Sequence, residues 1–271
     1  DGGMSVDVDY TKYWRLRAFP FDNVPDPRFY VPCSQHDAAH RWLSYGVQTG
    51  KGLLLLTGDV GCGKTLLSRR LIVGLLPARY DVALVANPAL SPSELLDEVL
   101  SQFGLGRMRS KGRRLQTLNE RLQSNVQRGI SSVLIVDEAQ AIESAKGFED
   151  LRLLTNFQLN DRFLLTILLI GQPELRRRVA GIPQLNQRIA IRTHVGPFTA
   201  EETTSYIVAR MGSVTERTDV FTKEAMSGIY EQSKGIGRLI NALCDQCLFA
   251  GAIEGVAQID DRLVQRVGHV I

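Results

Sequence analysis

Apolar residues in this chain gather in five short runs: Leu53–Thr57, Val82–Ala86, Val133–Asp137, Leu165–Ile170 and Ile189–Val195. Short, near-continuous apolar runs are the pattern of strands buried on both faces, as in a parallel sheet. Between them the apolar spacing becomes helical, over Thr65–Leu76, Ser93–Phe103, Arg114–Arg128 and Phe148–Leu159. This alternation predicts an α/β fold with a doubly wound, five-stranded parallel sheet and right-handed crossovers. Beyond Pro197 only helical patterns remain. Thr199 and Glu202 have capping-box spacing, and further helices are expected at Thr222–Ser233, Gly237–Ala252 and Asp260–Val270. Ahead of the first strand lies an irregular lead rich in Pro and aromatic residues. Ser34 then serves as the expected N-cap of a helix running to about Val47, and Gly50 and Gly52 punctuate the strand entry. The expected organisation is a lead with its helix (1–50), a nucleotide-binding core (51–196) and a small C-terminal helical lid (197–271), with the boundary at Gly196–Phe198.

The junction of the first strand and first crossover helix carries the chemistry. Gly58-Asp59-Val60-Gly61-Cys62-Gly63-Lys64-Thr65 satisfies the phosphate-loop pattern G-x-x-x-x-G-K-[ST], with Leu66 opening the helical pattern. A polyphosphate needs closely spaced backbone N–H donors, and glycines let the chain wrap that tightly. The helix N-terminus adds partial positive charge. Lys64 is expected at the β- and γ-phosphates of ATP, and the Thr65 hydroxyl on Mg²⁺. A glycine-rich turn without ligand is the weaker reading, because the strand–loop–helix context is present.

A second element, Val133-Leu134-Ile135-Val136-Asp137-Glu138, ends a later strand in two carboxylates. P-loop proteins with Glu next to this Asp usually have strand order 5-1-4-3-2, which sets Asp137 beside the phosphate loop. Asp137 is then expected to hold the Mg²⁺ shell, and Glu138 to polarise the attacking water, because phosphoryl transfer needs mainly positioning and charge stabilisation. Gln172, after the fourth strand, either orients that water and senses the γ-phosphate or is a turn residue before Pro173. Arg188, at the mouth of the fifth strand, is placed to leave its own subunit and reach a neighbour's γ-phosphate. The alternatives there are a structural salt bridge or the same role for Arg192. Arg238 follows Gly235-Ile236-Gly237 in the first turn of a helix, where the dipole disfavours it, so phosphate sensing is expected. Arg176-Arg177-Arg178 reads as a solvated face.

Composition narrows the partners only slightly. The chain has 271 residues and a formal net charge of +3, too mild to announce nucleic acid as the main partner. Cys33, Cys62, Cys244 and Cys247 lack disulfide-framework spacing, so a reducing compartment is expected, and Cys244–Cys247 reads as two buried helix positions rather than zinc ligands. Oxidation of Cys62 would block ATP. No stretch is long and apolar enough to span a bilayer, and no signal peptide is recognised. A cytoplasmic location follows, possible at the inner membrane through a partner or a region beyond Ile271. Asp1-Gly2-Gly3-Met4 reads as a remnant ahead of a native start.

With these residues in place the chain resembles the AAA+ ATPases, most closely the ExeA/GspA branch linked to type II secretion. The resemblance rests on Pro20-Phe21, Pro25-Asp26-Pro27-Arg28-Phe29, the phosphate loop, Asp137-Glu138-Ala139-Gln140, Gly171-Gln172-Pro173-Glu174-Leu175, Gln187-Arg188-Ile189 and Arg238-Leu239-Ile240-Asn241, in the family's order. It implies an αβα core, a helical lid, and ATP bound between subunits of a homo-oligomeric ring or filament that assembles or remodels a protein partner. It makes Gln172 the sensor-1 position, Arg188 the finger and Arg238 the sensor-2 arginine. Cys62 departs from the small residue usual in that branch, and the membrane helix and peptidoglycan-binding region of many members do not occur in these residues. The chain is also similar to transposition regulators of the TnsC, TniB and MuB kind, which assemble on DNA. Arg107-Met108-Arg109-Ser110-Lys111-Gly112-Arg113-Arg114, expected as a loop between helices, is the feature that favours DNA, against the reading of a solvated loop. No aromatic is interleaved for base stacking.

Three other features have two readings each. His36 and His40 have zinc-helix spacing but no glutamate or third ligand, so helix surface is expected. Asn156 contacts a neighbour or caps a turn. Phe29-Tyr30 packs near adenine or fills the N-terminal core.

Overall fold

The computed structural model describes residues 9–23 and 30–268. Chain contacts divide it into two compact units, Ser34–Val60 with Lys64–Val195, and Asp1–Cys33 with Gly61–Gly63 and Gly196–Ile271.

The first unit is the α/β core. Its strands are β1 (Leu53–Gly58), β2 (Tyr80–Val85), β3 (Ser131–Val136), β4 (Leu165–Gly171) and β5 (Ile189–Val195). All pairings are parallel, in the order β2-β3-β4-β1-β5. This is the 5-1-4-3-2 order expected. Every residue of β1 and β4 is buried, which is why those runs lack polar alternation. Edge strand β5 instead alternates exposed and half-buried positions between two buried ends. Full burial of each Leu or Ile in the central strands is worth roughly 1.5–3 kcal/mol, and those on one face share one core with the helices packed on them.

Helix α2 (Ser34–Gln48) lies close on the sheet: a Cβ on Gly46 would come within 2.7 Å of Leu54 and 2.8 Å of Ile191. His36 of α2 is buried and His40 half-buried, so the surface reading fails for His36. Among the described residues no cluster of His, Cys, Asp and Glu could hold a metal ion. The crossover helices are α3 (Lys64–Val73), α4 (Pro92–Gln102), α5 (Lys111–Gln127) and α6 (Ala145–Leu154). Ser91 and Glu94 close a capping box on α4. Helix α6 starts three residues earlier than its apolar pattern, because Ser144 caps Gly147, and stops at Leu154, where Thr155 caps it. The chain then bends into a Gln158–Phe163 antiparallel bridge instead of continuing the helix to Leu159.

Helix α5 begins at Lys111, with the Ser110 hydroxyl accepting from the Arg113 N–H. Half of the expected basic loop is therefore helix. Lys111 pairs with Asp150, and Arg114 grips Asp97 with two bonds of 2.6 and 3.0 Å. Helices α7 (Pro173–Ala180) and α8 (Pro183–Asn186) fill the β4–β5 crossover. Arg178 of α7 is not on a solvated face: it donates to the Gln140 and Glu143 carbonyls at 2.5 and 3.3 Å, and lies over the Phe148 ring.

The second unit is helical among its described residues: α1 (Tyr10–Trp14), α9 (Ala200–Gly212), α10 (Lys223–Ser233), α11 (Gly237–Glu254) and α12 (Asp261–Gly268). The lead is thus not wholly irregular. Trp14 is fully buried and donates its indole N–H to the Leu248 carbonyl at 2.7 Å, and the Tyr10 hydroxyl bonds Asp245. Thr199 and Glu202 form the expected capping box. Cys244 and Cys247 are buried in α11, and burial pushes the Cys247 thiol up to about 12. The lead motif Pro25–Phe29 lies outside the described residues.

Candidate nucleotide site

The register of the sheet brings three strand ends to one edge. Thr57 is level with Gly171, and Val136 with Leu169, so the turns after β1, β3 and β4 leave the sheet side by side. These turns carry Gly58 onward, Asp137-Glu138, and Gln172.

Gly58 packs against β5 so closely that a Cβ would overlap the Val195 carbonyl oxygen. Gly61 and Gly63 have φ of +79° and +84°, a region side chains rarely adopt, and this curls the loop into a concave run of backbone groups. Asp59 is half-buried and Val60 exposed; Cys62 is buried, so its thiol faces the protein rather than solvent. Lys64 is nearly buried, and its ammonium donates to the Gly58 and Asp59 carbonyls at 2.9 Å each. The side chain thereby spans the loop from its own helix. Helix α3 opens at Lys64, so Thr65 and half-buried Leu66 occupy its first turn, where backbone N–H groups have no intrahelical acceptor.

The Thr65 hydroxyl donates to Asp137 Oδ2 at 3.1 Å, bringing together the two residues expected on the metal. Asp137 is buried, and burial raises its carboxyl pKa, against the Glu138 N–H and the Thr65 hydroxyl, which lower it. A hydroxyl and a buried carboxylate are the hard oxygen donors Mg²⁺ takes, with water and phosphate completing the octahedron. The donor set fits that ion.

Glu138 has φ 50° and ψ 36°, left-handed for a residue with a side chain. Such conformations cost about 1–3 kcal/mol and persist where surrounding structure over-determines them. A one-turn 3-10 helix, Ala139–Ala141, follows. Gln140 in that turn donates its amide to the Glu138 carboxylate and accepts from the Gln172 N–H at 3.0 Å. Gln172 itself is the N-cap residue of α7, and its side chain makes no capping bond.

Arg188 lies elsewhere. It is exposed and precedes Ile189, which pairs with Leu53 at the opposite end of β1 from the loop. It donates to the Thr155 carbonyl and hydroxyl at 3.3 and 3.0 Å and, among the described residues, forms no ion pair. Arg192 is committed to its own strand entry, donating to Asn186 O and Oδ1 at 2.6 and 2.9 Å and to the Ile189 carbonyl at 3.1 Å. Exposed Asn156 ends a turn, its N–H bonded to the Leu153 carbonyl. In the helical unit, exposed Arg238 abuts its portion of the loop. Its N–H donates to the Gly61 carbonyl at 3.1 Å, and a Cβ on Gly61 would come 3.1 Å from Arg238 Cβ.

Sequence reasoning missed the contacts of Gln140, Arg178 and Thr155. Gln140 was visible only as one letter of a motif. The other two contacts join residues more than 30 positions apart, which no local pattern reports.

A family model described as "AAA domain" matches residues 47–179. Among solved structures, Drosophila ORC bound to DNA is similar with TM-score 0.72 and 17% identity, over 98% of this chain and 67% of that one. Aeropyrum pernix ORC2, in its ADPNP–ADP complexes, gives 0.69 and 17%, over 94% and 72%. The Thermotoga maritima RuvB Holliday junction branch migration motor gives 0.58 and 18%, over 87% and 66%. At these identities the likeness is one of fold. Together with the loop and paired carboxylates it shows the fold of P-loop proteins of the AAA+ class. More narrowly, the chain is related to General secretion pathway protein A of Aeromonas hydrophila, 36% identical over 254 residues. The match covers 92% of this chain and 46% of that one, so the chain spans about half the length of the curated relative it matches.

Proposed function

We propose that this protein hydrolyses ATP and uses the cycle to assemble or remodel a partner complex, as part of a secretion or cell-envelope apparatus. One observation carries the ATPase reading: the Thr65 hydroxyl and Asp137 carboxylate meet beside the phosphate loop, and the next residue, Glu138, is held in a strained backbone turn.

The residues divide the work as follows. The N–H groups of Gly58 through Leu66 and the Lys64 ammonium bind the phosphates. Thr65 and Asp137 hold Mg²⁺, which when bound neutralises phosphate charge. Glu138 accepts a hydrogen bond from water and orients it toward the γ-phosphate, with Gln172 at the adjacent strand end as its sensor. Arg238, against Gly61, senses phosphate from the helical unit, which acts as the lid. Arg188 serves the site of a neighbouring copy in a homo-oligomeric ring or filament.

The secretion assignment rests on the General secretion pathway protein A relative; a cytoplasmic location, at the inner membrane through a partner, belongs to the same proposal. Among the described residues no helix is long and apolar enough to cross a membrane. The alternative of a DNA-dependent transposition regulator drew on residues 107–114. Lys111 and Arg114 of that stretch are paired with Asp150 and Asp97, so it is the weaker reading. The test is phosphate release with ATP and Mg²⁺. Wild type is expected to turn over, and Glu138→Gln to bind ATP without turnover. Turnover by Glu138→Gln near the wild-type rate contradicts the reading.

A further inference from the structure

The Gln140 side chain has a chemically fixed orientation. Its Nε2 donates to the Glu138 carboxylate, and its Oε1 accepts from the Gln172 N–H at 3.0 Å. Reversing the amide would set oxygen against carboxylate and NH₂ against N–H, so only one orientation satisfies both neighbours. The backbone is anchored as well, because the Gln140 carbonyl accepts from Arg178 Nη1 at 2.5 Å, and Arg178 is itself stacked on Phe148. Room for the amide comes from the end of β4: a Cβ on Gly171 would overlap Gln140 Oε1 and come 2.9 Å from Leu175. Gln140 thus bridges two turns, one carrying Glu138 and the other Gln172.

We propose that Gln140 is a positioning residue for the water-polarising carboxylate. It fixes one oxygen of Glu138 and leaves the other for water, and it ties the placement of Glu138 to that of the β4–α7 turn. A movement of the Gln172 backbone is transmitted to Glu138 through a single amide. The inference rests on the reading of Glu138 given above.

The experiment measures kcat for ATP, affinity for a non-hydrolysable ATP analogue, and the melting temperature of the full chain. Two variants separate the two arms. Gln140→Glu keeps an oxygen for the Gln172 N–H but sets carboxylate against carboxylate. Gln140→Leu removes both arms at similar volume and adds no charge. Each is expected to lose about 10- to 100-fold in kcat, the worth of one hydrogen bond to a charged group, with affinity and melting unchanged. Wild-type kcat in both variants overturns the proposal, as do equal losses of affinity and kcat. Absence of turnover in wild type overturns this inference and the ATPase reading together. Turnover that depends on Glu138 but not on Gln140 overturns the inference alone.

Discussion

Replacing Arg188 with Ala tests whether the site is completed by a second copy of the chain. Ile189 pairs with Leu53, and the phosphate loop begins at Gly58, so the length of β1 separates them. At roughly 3.3 Å per residue that is about 17 Å. An extended arginine side chain reaches only about 7 Å from its Cα. The guanidinium therefore falls about 10 Å short of a γ-phosphate on its own loop. Its bonds to Thr155 hold it at the surface, where a neighbouring copy would meet it. An arginine acting in trans contributes about 10³–10⁵ in rate, or about 4–7 kcal/mol of barrier. Arg188→Ala is expected to bind ATP as wild type does and to lose turnover on that scale. Wild-type specific activity is expected to rise with protein concentration. The decisive assay mixes Arg188→Ala with Glu138→Gln. The first keeps an intact loop and Glu138, and the second supplies the arginine. In a random equal mixture about a quarter of head-to-tail interfaces combine the two intact halves, so activity returns to about that fraction of wild type. Two inactive variants that stay inactive when mixed, or an Arg188→Ala protein with wild-type turnover, would refute the arrangement.

Four further outcomes are expected. Lys64→Ala removes the ammonium that bridges the loop and should abolish tight ATP binding in a nucleotide titration; unchanged affinity would contradict the site. Gly61→Ala meets both a positive φ and the side chains of Ile236 and Arg238, so ATP affinity should fall with little change in the α/β core measured by hydrogen exchange. Arg114→Ala breaks a two-bond grip on Asp97 and should cost about 1–3 kcal/mol in denaturant unfolding, with no change in the salt dependence of any DNA binding. The Cys247 thiol, raised to about 12 and buried, should resist a thiol reagent at pH 8 in the native protein and react on denaturation. Rapid native labelling of Cys247 would contradict its place in the core.

The fold was legible because the core strands are buried on both faces, so Leu53–Leu56 and Val133–Val136 stand out without alternation. Sheet order followed from one residue, the glutamate after Asp137. Helix ends were less legible, since Ser144 and Ser110 start α6 and α5 ahead of their apolar faces. Apolar spacing locates the packed face of a helix, not its cap. The same limit explains the basic stretch: charge density said nothing of Asp97 and Asp150, which come from other helices. At the candidate site, the loop and both carboxylates were readable because each is a short contiguous motif at a strand end. The strained φ of Glu138 and the amide bridge of Gln140 were not, because they depend on how the β3 and β4 turns meet.

The central claim is that Glu138 converts bound ATP to ADP and phosphate. Its most direct test is a single-turnover chase, with labelled ATP mixed with excess protein and Mg²⁺ and the bound nucleotide followed over time. Wild type is predicted to convert its bound ATP to ADP, while Glu138→Gln retains ATP with undiminished occupancy. Conversion at the same rate in both proteins would contradict the account.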